Sequence, residues 1–183
     1  MLDRKTHSTL SADHQTNLLA VSQQFNYIFG YSEDHFLPHH ATSLSMKLCQ
    51  KLFIECFSVL RTLPDLLQEE EGLGAHTGVV VLSTSVAIRY FWCHRSIRPC
   101  GDKVAHQCPR CYAIRTLTFS LGGPSGVYVA RCRCGWNKEH DVRIPGAVYP
   151  DSGTGWARHL LYGTEEDFQR ARSAPRDTYD AAI

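Results

Sequence analysis

The sequence predicts an α+β protein. A helical N-terminal region with a short β element comes first, then a β-hairpin with cysteine pairs at its base, then a C-terminal helix. Three observations carry this. Across residues 43–63, Leu44, Leu48, Leu52, Cys56, Val59, Leu60 and Leu63 fall on one helical stripe. Residues 77–93 are rich in β-branched and aromatic side chains between turn residues. Residues 116–131 alternate apolar and polar with period two on both arms of Gly122-Gly123-Pro124-Ser125-Gly126.

Composition bounds the rest. The chain has 183 residues, of which 43% are hydrophobic and 20% charged, enough apolar material for a folded core. No apolar run reaches the ~18–20 residues of a membrane helix, and none follows Met1-Leu2-Asp3-Arg4-Lys5 as in a secretory signal. The expectation is an intracellular protein of nucleus or cytoplasm, without a membrane partner. In that setting its eight cysteines serve as metal thiolates and buried thiols rather than disulfides. The expected divisions are 1–105, mainly helical with a short β element; 106–145, the cysteine hairpin; and 146–183, a linker, a helix and a loose tail.

In order along the chain, Ser11 caps a short helix with Leu18, Leu19, Val21, Phe25 and Ile28 on one face, stopped by Gly30. His35, His39 and His40 follow in a polar loop, with no cysteine or carboxylate spaced to complete a metal site. Thr42 or Ser43 caps the 43–63 helix and Pro64 ends it, with Cys49 and Cys56 as inert core thiols. Glu69-Glu70-Glu71 reads as a solvated loop. Thr77–Thr84 reads as a buried strand. Residues 86–93 suit either a strand or a helix, and pairing with the preceding strand favours the former. After a linker over 144–155, a helix is expected beyond Trp156. Thr164 with Glu165, Glu166 and Asp167 forms an N-terminal signature, and Pro175 marks the stop.

The chemistry lies between Cys108 and Cys134. Cys108-Pro109-Arg110-Cys111 and Cys132-Arg133-Cys134-Gly135-Trp136 stand at the two ends of the predicted hairpin. Folding it brings Cys108, Cys111, Cys132 and Cys134 together, the donor set of a structural Zn2+ site. Cys100 or His140 could replace Cys132. A redox dithiol is the competing use of Cys108 and Cys111, but such a pair normally opens a helix, and here a strand follows. Residues 138–144 could add a third strand.

These residues resemble a zinc ribbon, over about 106–145 only. The family usually has two residues between the second pair of cysteines; here there is one, Arg133. The run Trp92-Cys93-His94-Arg95-Ser96-Ile97-Arg98-Pro99-Cys100-Gly101, with His106-Gln107-Cys108-Pro109-Arg110-Cys111, also resembles uncharacterised proteins of mushroom-forming fungi. In those a helical region precedes a ribbon-like cysteine cluster; the resemblance implies no activity.

Charge points to a partner. Residues 89–143 hold ten basic and three acidic side chains, a net +7, in an otherwise acidic chain of net +1. Four thiolates on one divalent ion absorb −2 of that excess. Zinc ribbons are common in nucleic-acid machinery, so the resemblance implies a zinc-stabilised binding module. Arg115, Arg131, Arg133, Lys138 and Arg143 would contact phosphates, and Tyr112, Phe119, Tyr128 or Trp136 would stack on bases. The alternative is a protein-interaction or scaffold protein with purely structural zinc, its charge asymmetry satisfied internally or by a protein. A third class is a cysteine-dependent enzyme using Cys93 or Cys100 with His76, His94 or His106. No recognised catalytic signature surrounds them, and four cysteines leave a zinc ion no open position.

Overall fold

The computed structural model describes residues 26–33, 38–55, 57–95, 98–102, 107–114, 117–122, 127–140 and 143–173. The protein is α+β. In chain order its elements are β1 (Ile28–Tyr31), α1 (Pro38–Cys49) running into a π-helical turn (Gln50–Ile54), α2 (Val59–Gln68), α3 (Glu71–His76), β2 (Val79–Leu82), β3 (Ala87–Cys93), a 3-10 turn (Pro99–Gly101), β4 (Leu117–Gly122), β5 (Val127–Cys132), β6 (Asn137–His140), β7 (Gly155–Tyr162) and α4 (Glu165–Ser173). One antiparallel sheet runs β1-β2-β3-β7 and a second runs β4-β5-β6. The chain thus leaves the first sheet after β3, builds the second, and returns as β7 beside β3.

Strand alternation decides the core. Ile88, Tyr90 and Trp92 of β3 and Trp156 of β7 face the helices, against Leu44, Leu60, Leu63, Leu67 and Leu73. Leu60, Leu63 and Leu67 have no exposed surface, and each such burial is worth about 1.5–3 kcal/mol. Trp92 and Trp156 meet edge to face at 5.9 Å. Phe91, Cys93 and Ala157 point the other way, under Ile144, Ala147 and Tyr149. The 144–155 segment is therefore a cover as well as a connection, bridged to β7 through Val148 and Arg158.

Several local expectations are corrected. Ile28 and Gly30 lie in β1, paired with Leu82 and Val80, so no helix runs through them; residues 11–25 of that expected helix lie outside the described residues. The long helix starts at Pro38, where Thr42 Oγ1 donates back to the Pro38 carbonyl and Ser43 Oγ to Glu70, so neither caps it. It is also not continuous. Glu55 N donates to Gln50 O in the wide π pattern, and Ser58 is extended before α2 begins. Met46 and Cys49, before the π turn, Phe53 within it and Phe57 after it are all exposed. Pro64 sits inside α2, where Leu60, Leu63, Leu66 and Leu67 bury enough surface to offset its one missing hydrogen bond. Glu70 is not solvated: it is 7% exposed and accepts from Ser43 Oγ at 2.7 Å and Lys47 Nζ at 2.9 Å. Ahead of the expected C-terminal helix, Gly155–Tyr162 forms a strand that sequence reading did not foresee, paired with β3. Strand pairing of residues 86–93 and the start of α4 match expectation: Asp167 N donates to Thr164 Oγ1 at 3.1 Å and Thr164 N to Asp167 Oδ2 at 3.0 Å, a reciprocal cap.

Candidate metal centre

Two tight turns hold the cysteines. In the first, Cys108 N donates to Ala113 O at 3.1 Å and Tyr112 N to Cys108 O at 2.9 Å. In the second, Cys132 N donates to Trp136 O at 2.8 Å and Gly135 N to Cys132 O at 3.0 Å. The same pair of bonds closes both turns, and the second is one residue tighter throughout. In each, the residue after the second cysteine turns left-handed, Tyr112 at φ 58° and Gly135 at φ 84°. A knuckle with only Arg133 between its cysteines therefore still closes.

The four Sγ atoms all lie within 4.8 Å of one another. Cys108 and Cys134 are 3.7 Å apart, as are Cys111 and Cys132. Bonded sulfurs would be about 2.05 Å apart. Four thiolates about 2.3 Å from one tetrahedral ion stand about 3.8 Å from each other. The cysteines are thus arranged to hold a single metal ion, and the donor set fits one. Cys108 and Cys132 are buried at 0% and 8%, while Cys111 opens towards solvent. The backbone amide hydrogen bond at Ala113 favours the Cys111 thiolate, but burial and the three neighbouring thiols outweigh it and push that thiol up to about 11. A divalent cation at the centre reverses this balance.

The two alternatives to Cys132 are placed apart from it along the chain fold. Cys100 is buried in the 3-10 turn, outside the group. His140 pairs in register with Tyr128, four residues along β5 from Cys132, about 13 Å away at roughly 3.3 Å per residue.

The expected phosphate contacts are placed unevenly. Arg115 lies outside the described residues. Arg131 pairs with Asn137 and Lys138 with Ala130, which puts the two cations on opposite faces of the small sheet. Arg133 is exposed on the second knuckle. Arg143 lies beyond β6, with its guanidinium 5.4 Å from the Tyr149 ring centre. Sequence reasoning missed Arg110, exposed between the first two cysteines with Nη1 3.5 Å from Cys134 O. Its signal was its place inside the motif. It also missed Ile114, 69% exposed beside the 70% exposed Tyr112. Among the described residues, none of Arg110, Arg131, Arg133 and Lys138 forms an ion pair. Trp136 is half-buried.

Cys93 is 2% exposed, and burial first, then Cys100, pushes its thiol up to about 12. His76 stacks on His40 at 3.9 Å, the His94 backbone is tied to Arg98, and His106 lies outside the described residues. No described helix is long and apolar enough to cross a membrane. No family model, no curated protein and no solved structure matches the chain.

Proposed function

We propose that this chain is a zinc-stabilised binding module of the zinc-ribbon type. Cys108, Cys111, Cys132 and Cys134 hold Zn2+, the ion folds the β4–β6 unit, and the exposed cations of that unit contact nucleic acid. The 3.7 Å spacing of the paired thiols carries the metal part. Four soft thiolates in a tetrahedron suit zinc, and a closed set makes the site structural rather than catalytic. Single iron shares the geometry, and metal analysis of the purified protein separates the two.

Four exposed cations that form no ion pair among the described residues support the nucleic-acid part, in a block of net +7. Arg110 and Arg133 flank the thiolates, Arg131 and Lys138 serve the two faces of the sheet, and Arg115 belongs to the same basic run. The test is a nucleic-acid titration at two salt concentrations on protein of verified metal content. Each phosphate contact steepens the dependence of log affinity on log salt by about 0.7–0.9, and affinity that does not fall with salt overturns the reading.

A protein-interaction module is the second reading. Met46 (68%), Phe53 (71%) and Ile54 (78%) are exposed along α1 and its π turn, and the lysines beside them are already paired, Lys47 with Glu69 and Glu70 and Lys51 with Glu55. An apolar face with neutralised flanks suits a second copy of the chain. Sedimentation that stays monomeric at high concentration counts against it.

A further inference from the structure

The two knuckles demand the same backbone conformation at the same place and fill it differently. Gly135, at φ 84°, meets the demand without strain. Tyr112, at φ 58°, carries a Cβ into a conformation that disfavours it. Packing does not offset this, since the residue is 70% exposed. The backbone beneath it is nevertheless clamped on both sides. Tyr112 N donates to Cys108 O at 2.9 Å, and Gln107 Nε2 donates to Tyr112 O at 2.8 Å. Strain held in place by its surroundings, with a ring left in solvent, marks a contact residue rather than a structural one.

Its neighbours define what it contacts. Ile114, 69% exposed, extends the apolar surface by one side chain only. Arg110 and Arg133 are exposed, one on each knuckle: Arg110 stands two residues before Tyr112 and reaches Cys134 O, 3.5 Å away, and Arg133 follows Cys132, whose Sγ lies 3.7 Å from that of Cys111, the residue before Tyr112. An exposed ring on a knuckle, with an exposed cation on each of the two knuckles, matches bases and phosphates better than a protein surface, which would need a larger apolar centre. Among the described residues of 107–140 there is no helix to enter a duplex groove.

We infer that Tyr112 is a stacking platform for an unpaired base, and that the knuckle rim takes single-stranded nucleic acid with its phosphates on Arg110 and Arg133. This rests on the nucleic-acid reading above and narrows it from any polyanion to an unpaired strand.

The test uses the full chain with one metal per molecule. Fluorescence anisotropy compares an oligo-pyrimidine single strand with a duplex of equal length at one low salt concentration. The single strand is expected to bind more tightly. Tyr112→Gly, which relaxes the backbone as Gly135 does, is expected to weaken single-strand binding about 5- to 100-fold at unchanged metal content, while Tyr112→Phe retains it. If Tyr112→Gly loses metal, Tyr112→Asn gives a second ring-free variant that tolerates the left-handed backbone. Full single-strand affinity in a metal-loaded ring-free variant, or equal affinity for duplex, overturns the stacking inference and leaves the nucleic-acid reading standing. No binding of either nucleic acid overturns both. Tight binding of poly-glutamate in their place, weakened by Tyr112→Gly, overturns both in favour of an acidic protein partner.

Discussion

Cys111 Sγ lies 3.7 Å from Cys132 Sγ, so the cysteine of the shorter knuckle is a full member of the cluster. The missing residue is absorbed by the turn, which closes from Gly135 to Cys132 where the longer knuckle closes from Tyr112 to Cys108. Cys132→Ser is therefore expected to lower bound metal well below one per chain. Cys100→Ser and His140→Ala are expected to leave it at one. Elemental analysis, with the thiolate absorption of a cobalt-substituted sample, reads both. Loss of metal in Cys100→Ser with retention in Cys132→Ser would reverse the assignment.

Metal removal is expected to affect the two sheets differently. Among the described side chains of β4–β6, Ala130 and Cys132 are buried, whereas the β1-β2-β3-β7 sheet has a core of leucines and tryptophans. Metal binding energy is folding energy for a unit of this kind. A strong chelator is expected to collapse the amide NMR signals of residues 106–145 while those of β2, β3 and β7 persist. Acid is expected to act in the same direction, because protons compete with the metal for four thiolates. Unchanged signals in β4–β6 after verified metal removal would show that the unit folds without it.

Gly74 is placed where no side chain fits. A Cβ there would stand 2.6 Å from Trp92 Cβ and 3.0 Å from the Trp156 ring. Neither tryptophan can move without disturbing the edge-to-face pair between β3 and β7. Gly74→Ala is expected to destabilise the protein by about 1–3 kcal/mol, seen as a lower urea midpoint at unchanged slope. Metal content should not change, since Gly74 belongs to the other sheet's core. A midpoint equal to the native one would mean that α3 is free to shift.

The cysteine cluster was legible because its signal is local: two short spacings and a hairpin pattern place four sulfurs with little help from the rest of the chain. The strand pairing of 86–93 and the Thr164–Asp167 cap were legible for the same reason. What escaped depends on distant residues. The strand Gly155–Tyr162 was not read from the sequence; it pairs with β3, more than sixty positions earlier. The 43–63 stripe reads as one unbroken helix, and the π turn over Gln50–Ile54 and the extended Ser58 interrupt it. Glu70 reads as one of three solvated acids until Ser43 and Lys47, 27 and 23 positions earlier, fold over it. At the site, the split of Arg131 and Lys138 between two faces follows from the β5–β6 register, which spacing alone does not fix.

The histidines at the start of α1 give the protein an acid-sensitive contact. His40 stacks on His76 at 3.9 Å with 19° between the rings, and His39 lies 4.0 Å from His40. Loss of solvent, then the two neighbouring imidazoles, holds His40 below its ordinary value of 6.5. The folded protein therefore binds this proton less readily than the unfolded chain. As pH falls through about 6.5 the unfolded state is protonated first. Stability declines from there, and the decline ends once pH lies below the folded value. His40→Gln removes the titrating group, so its melting temperature is expected to fall less than the native protein's between about pH 7.5 and about pH 5.5. Low salt should widen the difference, because the ring contacts lie at the surface. Both proteins would be compared with the metal content checked at each pH, so that thiolate protonation is not mistaken for the histidine effect. Equal losses in the two proteins would assign the acid sensitivity to other groups.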